Sequence, residues 1–154
     1  YEKTIEINPN FLNGYNNLGN SLKELGDYQK AKISLEKAIK INPNHADSYN
    51  NLGVVFDELE EYQNAISCYE KAIKIDPNYM SAYYNLGLAQ DRLKKIKEAI
   101  ISYKKALDLD PLNKKNLVAY GAILLKLNDH IKGLEYIRKG AGVIKFTNSY
   151  YKVI

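Results

Sequence analysis

Pro9, Pro43, Pro77 and Pro111 stand 34 residues apart, one after the other, along a chain of 154 residues. A fixed period of this length marks a stacked array of helix pairs, because one pair cannot bury its apolar face alone and needs neighbours on both sides. Function is then to be sought on a surface formed by repetition, not in an enclosed pocket.

Alignment on the prolines gives three consecutive units, 12–45, 46–79 and 80–113, which open at Leu12, Ala46 and Met80. A looser fourth unit spans 114–147, and 148–154 is left as a tail. Residues 1–11 read as the end of a truncated preceding repeat, since Tyr1, Thr4, Ile7 and Pro9 take the places of Tyr69, Ala72, Ile75 and Pro77. The chain is therefore expected to be a piece of a longer protein. Val143, Ile144, Phe146, Tyr150, Tyr151, Val153 and Ile154 form an apolar stretch with no helical period, too short for a membrane span.

Within each unit the fourth place is Tyr15, Tyr49 or Tyr83, and Leu18-Gly19, Leu52-Gly53 or Leu86-Gly87 follows. Alanines recur at 31, 65 and 99 and again at 38, 72 and 106. Small residues at fixed places let two helices approach, and Tyr and Leu fill the gaps beside them. The first helix is predicted from about Gly14 to Leu25, with Tyr15, Leu18, Leu22 and Leu25 on one face. The second carries Ala31, Leu35, Ala38 and Ile39. Gly26-Asp27 supplies a helix stop and turn, and Asn42-Pro43 ends the second helix. In the fourth unit Gly133 and Gly140 replace alanines, Leu117 replaces the aromatic and Lys145 stands where a fifth proline would be, a drift that suits a terminal cap.

The pattern of aromatic, Leu-Gly, small residue, second aromatic, Ala and Pro resembles the tetratricopeptide repeat family, over nearly the whole chain to Phe146. The resemblance implies an all-α fold, a right-handed superhelical solenoid of antiparallel helix pairs. It also implies an inner surface lined by the second, fifth, sixth, ninth, twelfth and thirteenth places of each unit.

Those places are rich in amides: Asn13, Asn16, Asn17 and Asn20 in the first unit, Asn50 and Asn51 in the second, Asn85 beside Tyr84 in the third. Asn17, Asn51 and Asn85 share the sixth place, which sets three amides in a row along the implied concave wall. An amide is donor and acceptor at once and can bond a peptide backbone whatever its side chains are. The row is similar to the asparagine ladder of the repeats of N-acetylglucosamine transferases that modify intracellular proteins, where it grips the main chain of the substrate. The expected peptide-binding set is Asn17, Asn51 and Asn85, with Asn16, Asn50, Asn20, Tyr84 and Asp57 beside them. Ala119 ends the ladder, and Val118, Ala122 and Leu125 offer an apolar patch instead. The family's carboxylate clamp for chaperone tails is disfavoured, because Asn16, Ser81 and Asn85 stand where it wants cations. Asparagine is also abundant throughout the chain, so packing against neighbouring repeats is the competing account of the row.

Nothing points to catalysis, a metal or a cofactor. Cys68 is the one cysteine and reads as a packing residue, and His45 and His130 have no companions at metal or catalytic spacing. No phosphate loop, nucleophile elbow or paired-carboxylate signature occurs. The net charge of +4 conceals an asymmetry: residues 1–79 carry −4 and residues 80–154 carry +8. Solvated outer faces account for this, and so does an acidic partner or head-to-tail association. Nucleic acid is disfavoured because the aromatics are spent on packing. The reading is an intracellular, cytoplasmic protein-interaction scaffold that binds a protein or peptide. Its alternatives are the substrate-recruiting arm of a larger enzyme such as a glycosyltransferase, and a scaffold that self-associates through exposed repeat ends.

Overall fold

Eight helices succeed one another among the described residues of the computed structural model: α1 Leu12–Glu24, α2 Tyr28–Ile41, α3 Ala46–Glu58, α4 Tyr62–Ile75, α5 Met80–Arg92, α6 Ile96–Leu109, α7 Lys114–Lys126 and α8 His130–Ala141. The described residues are 10–142 and the backbone of 144–146 and 151–153. The reading of residues 1–9 as part of a preceding repeat lies outside them. The chain divides within α5 into two compact units, residues to Asn85 and residues from Leu86. In the first, α1 packs on α2, α3 on α4, and α2 and α1 on α3. In the second, α7 packs on α8 and on α6. The fold class is that of the all-α repeat solenoid, built from antiparallel helix pairs.

The same three-residue turn joins the helices of every pair. After α1, the Gly26 amide bonds the Lys23 carbonyl at 3.0 Å and the Asp27 amide bonds the Leu22 carbonyl at 2.9 Å, the double closure of a Schellman motif. It recurs as Glu60 to Asp57 and Glu61 to Phe56, as Lys94 to Asp91 and Lys95 to Gln90, and as Asn128 to Leu125 and Asp129 to Leu124. The motif needs a left-handed residue, and Gly26 at φ +78° supplies it without strain. Glu60, Lys94 and Asn128 adopt φ of 60°, 58° and 63° at the same place. The turn thus keeps its geometry where no glycine is present, held by flanking helices that override the local preference. Asp27 and Asp129 then cap α2 and α8 by accepting the amides of Lys30 and Lys132. Leu25, expected on the apolar face of α1, sits in this turn as its C-cap and is 80% exposed.

Between pairs the chain turns at Asn42, Asp76 and Asp110. Each side-chain oxygen accepts the amide two residues on, from Asn44, Asn78 and Leu112. An acceptor followed by proline is what makes this boundary recur. The fourth boundary offers Ile144-Lys145 instead. There α8 ends at Ala141, Gly142 turns at φ 90°, and the chain enters β1 (Ile144–Phe146), antiparallel to β2 (Tyr151–Val153). The register pairs Ile144 with Val153, Lys145 with Lys152 and Phe146 with Tyr151. The stretch read as having no helical period contains these two strands, in which Ile-Lys-Phe and Tyr-Lys-Val alternate with period two.

Close approach within each pair rests on glycine. A Cβ on Gly19, Gly53 or Gly87 would lie 2.6, 2.5 or 2.7 Å from Leu35, Tyr69 or Tyr103, which fill the space the missing side chain leaves. Ala31, Ala38, Ala65, Ala72, Ala99 and Ala106 are fully buried. The glycines of the fourth pair extend this rule. A Cβ on Gly121 would meet the Gly133 carbonyl at 2.6 Å, and one on Gly140 would meet the Lys114 carbonyl at 2.7 Å. Here backbone approaches backbone, too close for the alanines of the other units, so the departures at 133 and 140 answer one tighter packing.

Two stability changes are expected. Lys94→Gly relieves the left-handed backbone and raises the urea midpoint by an amount equivalent to about 1 kcal/mol. Gly53→Ala drives a methyl into the Tyr69 ring and lowers it by the equivalent of about 2 kcal/mol. An unchanged midpoint in either variant contradicts the packing described.

Candidate functional site

The first helices α1, α3 and α5 carry the amides singled out by the repeat. Spacing of 34 residues puts equivalent side chains at equivalent places, and the structure shows what each touches. Asn17 and Asn20 are exposed, and Asn51 and Asn85 are half-buried. The Asn51 Nδ2 donates to Asn16 Oδ1 at 3.1 Å, and Asn85 Nδ2 donates to Asn50 Oδ1 at 3.0 Å. The bond is therefore the same twice: a sixth-place amide held by the fifth-place amide of the preceding unit. Asn16 Oδ1 also lies 3.1 Å from the fully buried Ser48 hydroxyl, a second contact between α1 and α3.

Two members of the expected contact set lie in the wall. Asn50 is 7% exposed and spends its oxygen on Asn85. Asp57 Oδ2 accepts the Tyr69 hydroxyl at 2.6 Å, within the pair α3 and α4. Tyr69 is fully buried, and that burial, with the Asp57 carboxylate second, pushes its phenol far above the ordinary range, so it stays a donor. Tyr84 is half-buried, and partial burial raises its phenol. The partners Ser48 and Tyr69 were not legible as site residues, because the repeat pattern marks Tyr69 only as a packing aromatic and Ser48 has no counterpart at the same place in the neighbouring units.

From Leu86 onward the amides give way to charge. Lys126 Nζ bonds both oxygens of Asp91, at 2.6 and 2.7 Å, across the 35-residue step. Leu88, Asp91, Arg92, Lys94, Ile96 and Lys126 line one open cleft. Within the same unit the buried Ser102 hydroxyl donates to Gln90 Oε1 at 2.7 Å.

The remaining candidates have structural places. His45 caps α3, its Nδ1 accepting the Ser48 amide at 3.3 Å, as the Asn113 side chain caps α7 from the equivalent place. Burial, helped by the charge on Glu36, pushes the Cys68 thiol up to about 12, which leaves it almost wholly protonated at neutral pH. Among the described residues no three histidines, cysteines or carboxylates are grouped to hold a metal, and no helix is long and apolar enough to cross a membrane.

Comparison with known proteins follows the same lines. The sequence profile described as Tetratricopeptide repeat matches residues 13–45, 46–79 and 81–113, well over half of the chain. No curated protein matches over the sequence. Among solved structures, a crystal structure of MamA is similar at 26% identity with a TM-score of 0.82, over 91% of this chain and 82% of that one. MamA from Desulfovibrio magneticus RS-1, residue 41 to the end, is 32% identical with a TM-score of 0.76, over 84% of this chain and 73% of that one. The first such domain of Spaghetti (RPAP3), bound to the HSP90 peptide SRMEEVD, shares the fold at 24% identity and a TM-score of 0.74, over 76% of this chain and 93% of that one. The chain belongs to the tetratricopeptide repeat family and has the fold of its protein-binding scaffolds.

Proposed function

We propose that the chain is a protein-interaction scaffold that holds an extended peptide along its first helices in an intracellular setting. Asn17, Asn51 and Asn85 bond the backbone of the peptide, with Asn20 and Tyr84 beside them. The observation that carries this reading is the state of the sixth-place amides. Asn51 and Asn85 each use Nδ2 once, inside the array, and among the described residues their Oδ1 atoms have no protein partner. Each amide therefore retains an acceptor and one N–H, the pair a peptide group requires. Asn17 is exposed at the start of the row. A peptide held on this fold has a precedent in the Spaghetti (RPAP3) domain, whose ligand is an HSP90 peptide.

Backbone bonding makes the scaffold tolerant of ligand side chains.

A displayed library of random twelve-residue peptides, selected against the full chain, provides the ligand for the test. Replacing Asn17, Asn51 and Asn85 together by alanine is expected to leave helicity intact and to weaken the selected peptides by about 3 kcal/mol, about 1 kcal/mol for each hydrogen bond. Equal affinity for the two proteins removes the amide row from the binding site.

A further inference from the structure

We infer that Asn16 and Asn50 are positioning residues, which lock the amides of Asn51 and Asn85 in one rotation and so preset the row for a ligand they do not themselves touch. This rests on the peptide-binding reading above. The two bonds are the same device at successive steps of the array, 3.1 Å from Asn51 to Asn16 and 3.0 Å from Asn85 to Asn50, each spanning 35 residues.

An asparagine on a helix face turns freely about two side-chain bonds and presents its oxygen and its nitrogen by turns. A ligand that binds it must stop that motion and select one orientation. Here the selection is made before the ligand arrives. Because the fifth-place oxygen can only accept, the sixth-place amide must direct nitrogen toward it. The oxygen of Asn51 or Asn85 is thereby left available for a backbone N–H. Asn16 is itself fixed, since Oδ1 takes the Ser48 hydroxyl as well as the Asn51 amide. Asn50 is 7% exposed, which suits a residue that acts on its neighbour rather than on a ligand. The device ends where the sequence changes: the third unit has Tyr84 at the fifth place and the fourth has Ala119 at the sixth.

Asn16→Asp distinguishes positioning from contact, because a carboxylate keeps the acceptor that Asn51 needs and loses the N–H donors that a ligand contact would use. The experiment takes the full chain, labelled with nitrogen-15, and follows the side-chain amide signals of Asn17, Asn51 and Asn85, together with the affinity of one peptide from the selection above. In the unaltered protein the Asn51 and Asn85 amides are expected to be ordered and the Asn17 amide mobile. Asn16→Ala should mobilise Asn51 alone and weaken the peptide about fivefold, the usual weight of one hydrogen bond or one immobilised side chain. Asn50→Ala should mobilise Asn85 alone, and Asn16→Asp should leave both order and affinity near their starting values. If Asn50→Ala disturbs the fold, the half-buried Asn16 carries the test unaided.

An Asn51 amide as mobile as that of Asn17 in the unaltered protein overturns the lock. An amide mobilised by Asn16→Ala with unchanged peptide affinity overturns the positioning role, and Asn16→Asp as damaging as Asn16→Ala makes Asn16 a direct contact. Should Asn51→Ala and Asn85→Ala leave affinity untouched, the peptide-binding reading fails instead, and the amide signals still decide whether the lock exists.

Discussion

Two helices can lie close together only where one of them lacks a side chain and the other has a large one to fill the space beside it. Gly53 against Tyr69 meets that requirement, since a Cβ on Gly53 would lie 2.5 Å from the Tyr69 ring, and Gly19 with Leu35 and Gly87 with Tyr103 repeat it. In the first three pairs a side chain of the second helix, Leu35, Tyr69 or Tyr103, takes the space beside the glycine of the first. In the fourth pair the terms change but the constraint does not, for Gly121, Gly133 and Gly140 bring backbone against backbone.

The amide bonds recur at the same sequence offset within the first compact unit. Asn16 with Asn51 and Asn50 with Asn85 match to within 0.1 Å, read from 3.1 and 3.0 Å, although they belong to different helices. Core and site also share atoms. The Tyr69 ring that fills the Gly53 gap ends in the hydroxyl that ties down Asp57, so a change in helix spacing would be felt at a carboxylate on the candidate face. Surface, core and repeat boundary are consequently one arrangement seen at three depths.

The period, the pair boundaries and the packing roles of glycine and alanine were legible from one sequence, because each is a residue type at a fixed place. The left-handed turns at Glu60, Lys94 and Asn128 were not, since nothing in those side chains asks for positive φ. Tertiary packing imposes it. The terminal hairpin was overlooked for a different reason. Its strands are three residues each, and Ile-Lys-Phe is too short a run to stand out beside a 34-residue period. At the candidate site the sequence reading named the sixth-place amides but not the bonds that Asn51 and Asn85 make. Asn50 and Asn51 are adjacent and chemically identical, yet one faces into the array and the other lies at its edge, a distinction that depends on a helix 35 residues away.

A crystal structure of the protein with one selected peptide tests most directly whether the amide row holds a backbone. The account predicts an extended peptide along α1, α3 and α5, with main-chain atoms within hydrogen-bonding distance of the side chains of Asn17, Asn51 and Asn85 and with the Asn16 and Asn50 bonds intact. A peptide seated on the second helices, or held on the first helices through side chains alone, would contradict it.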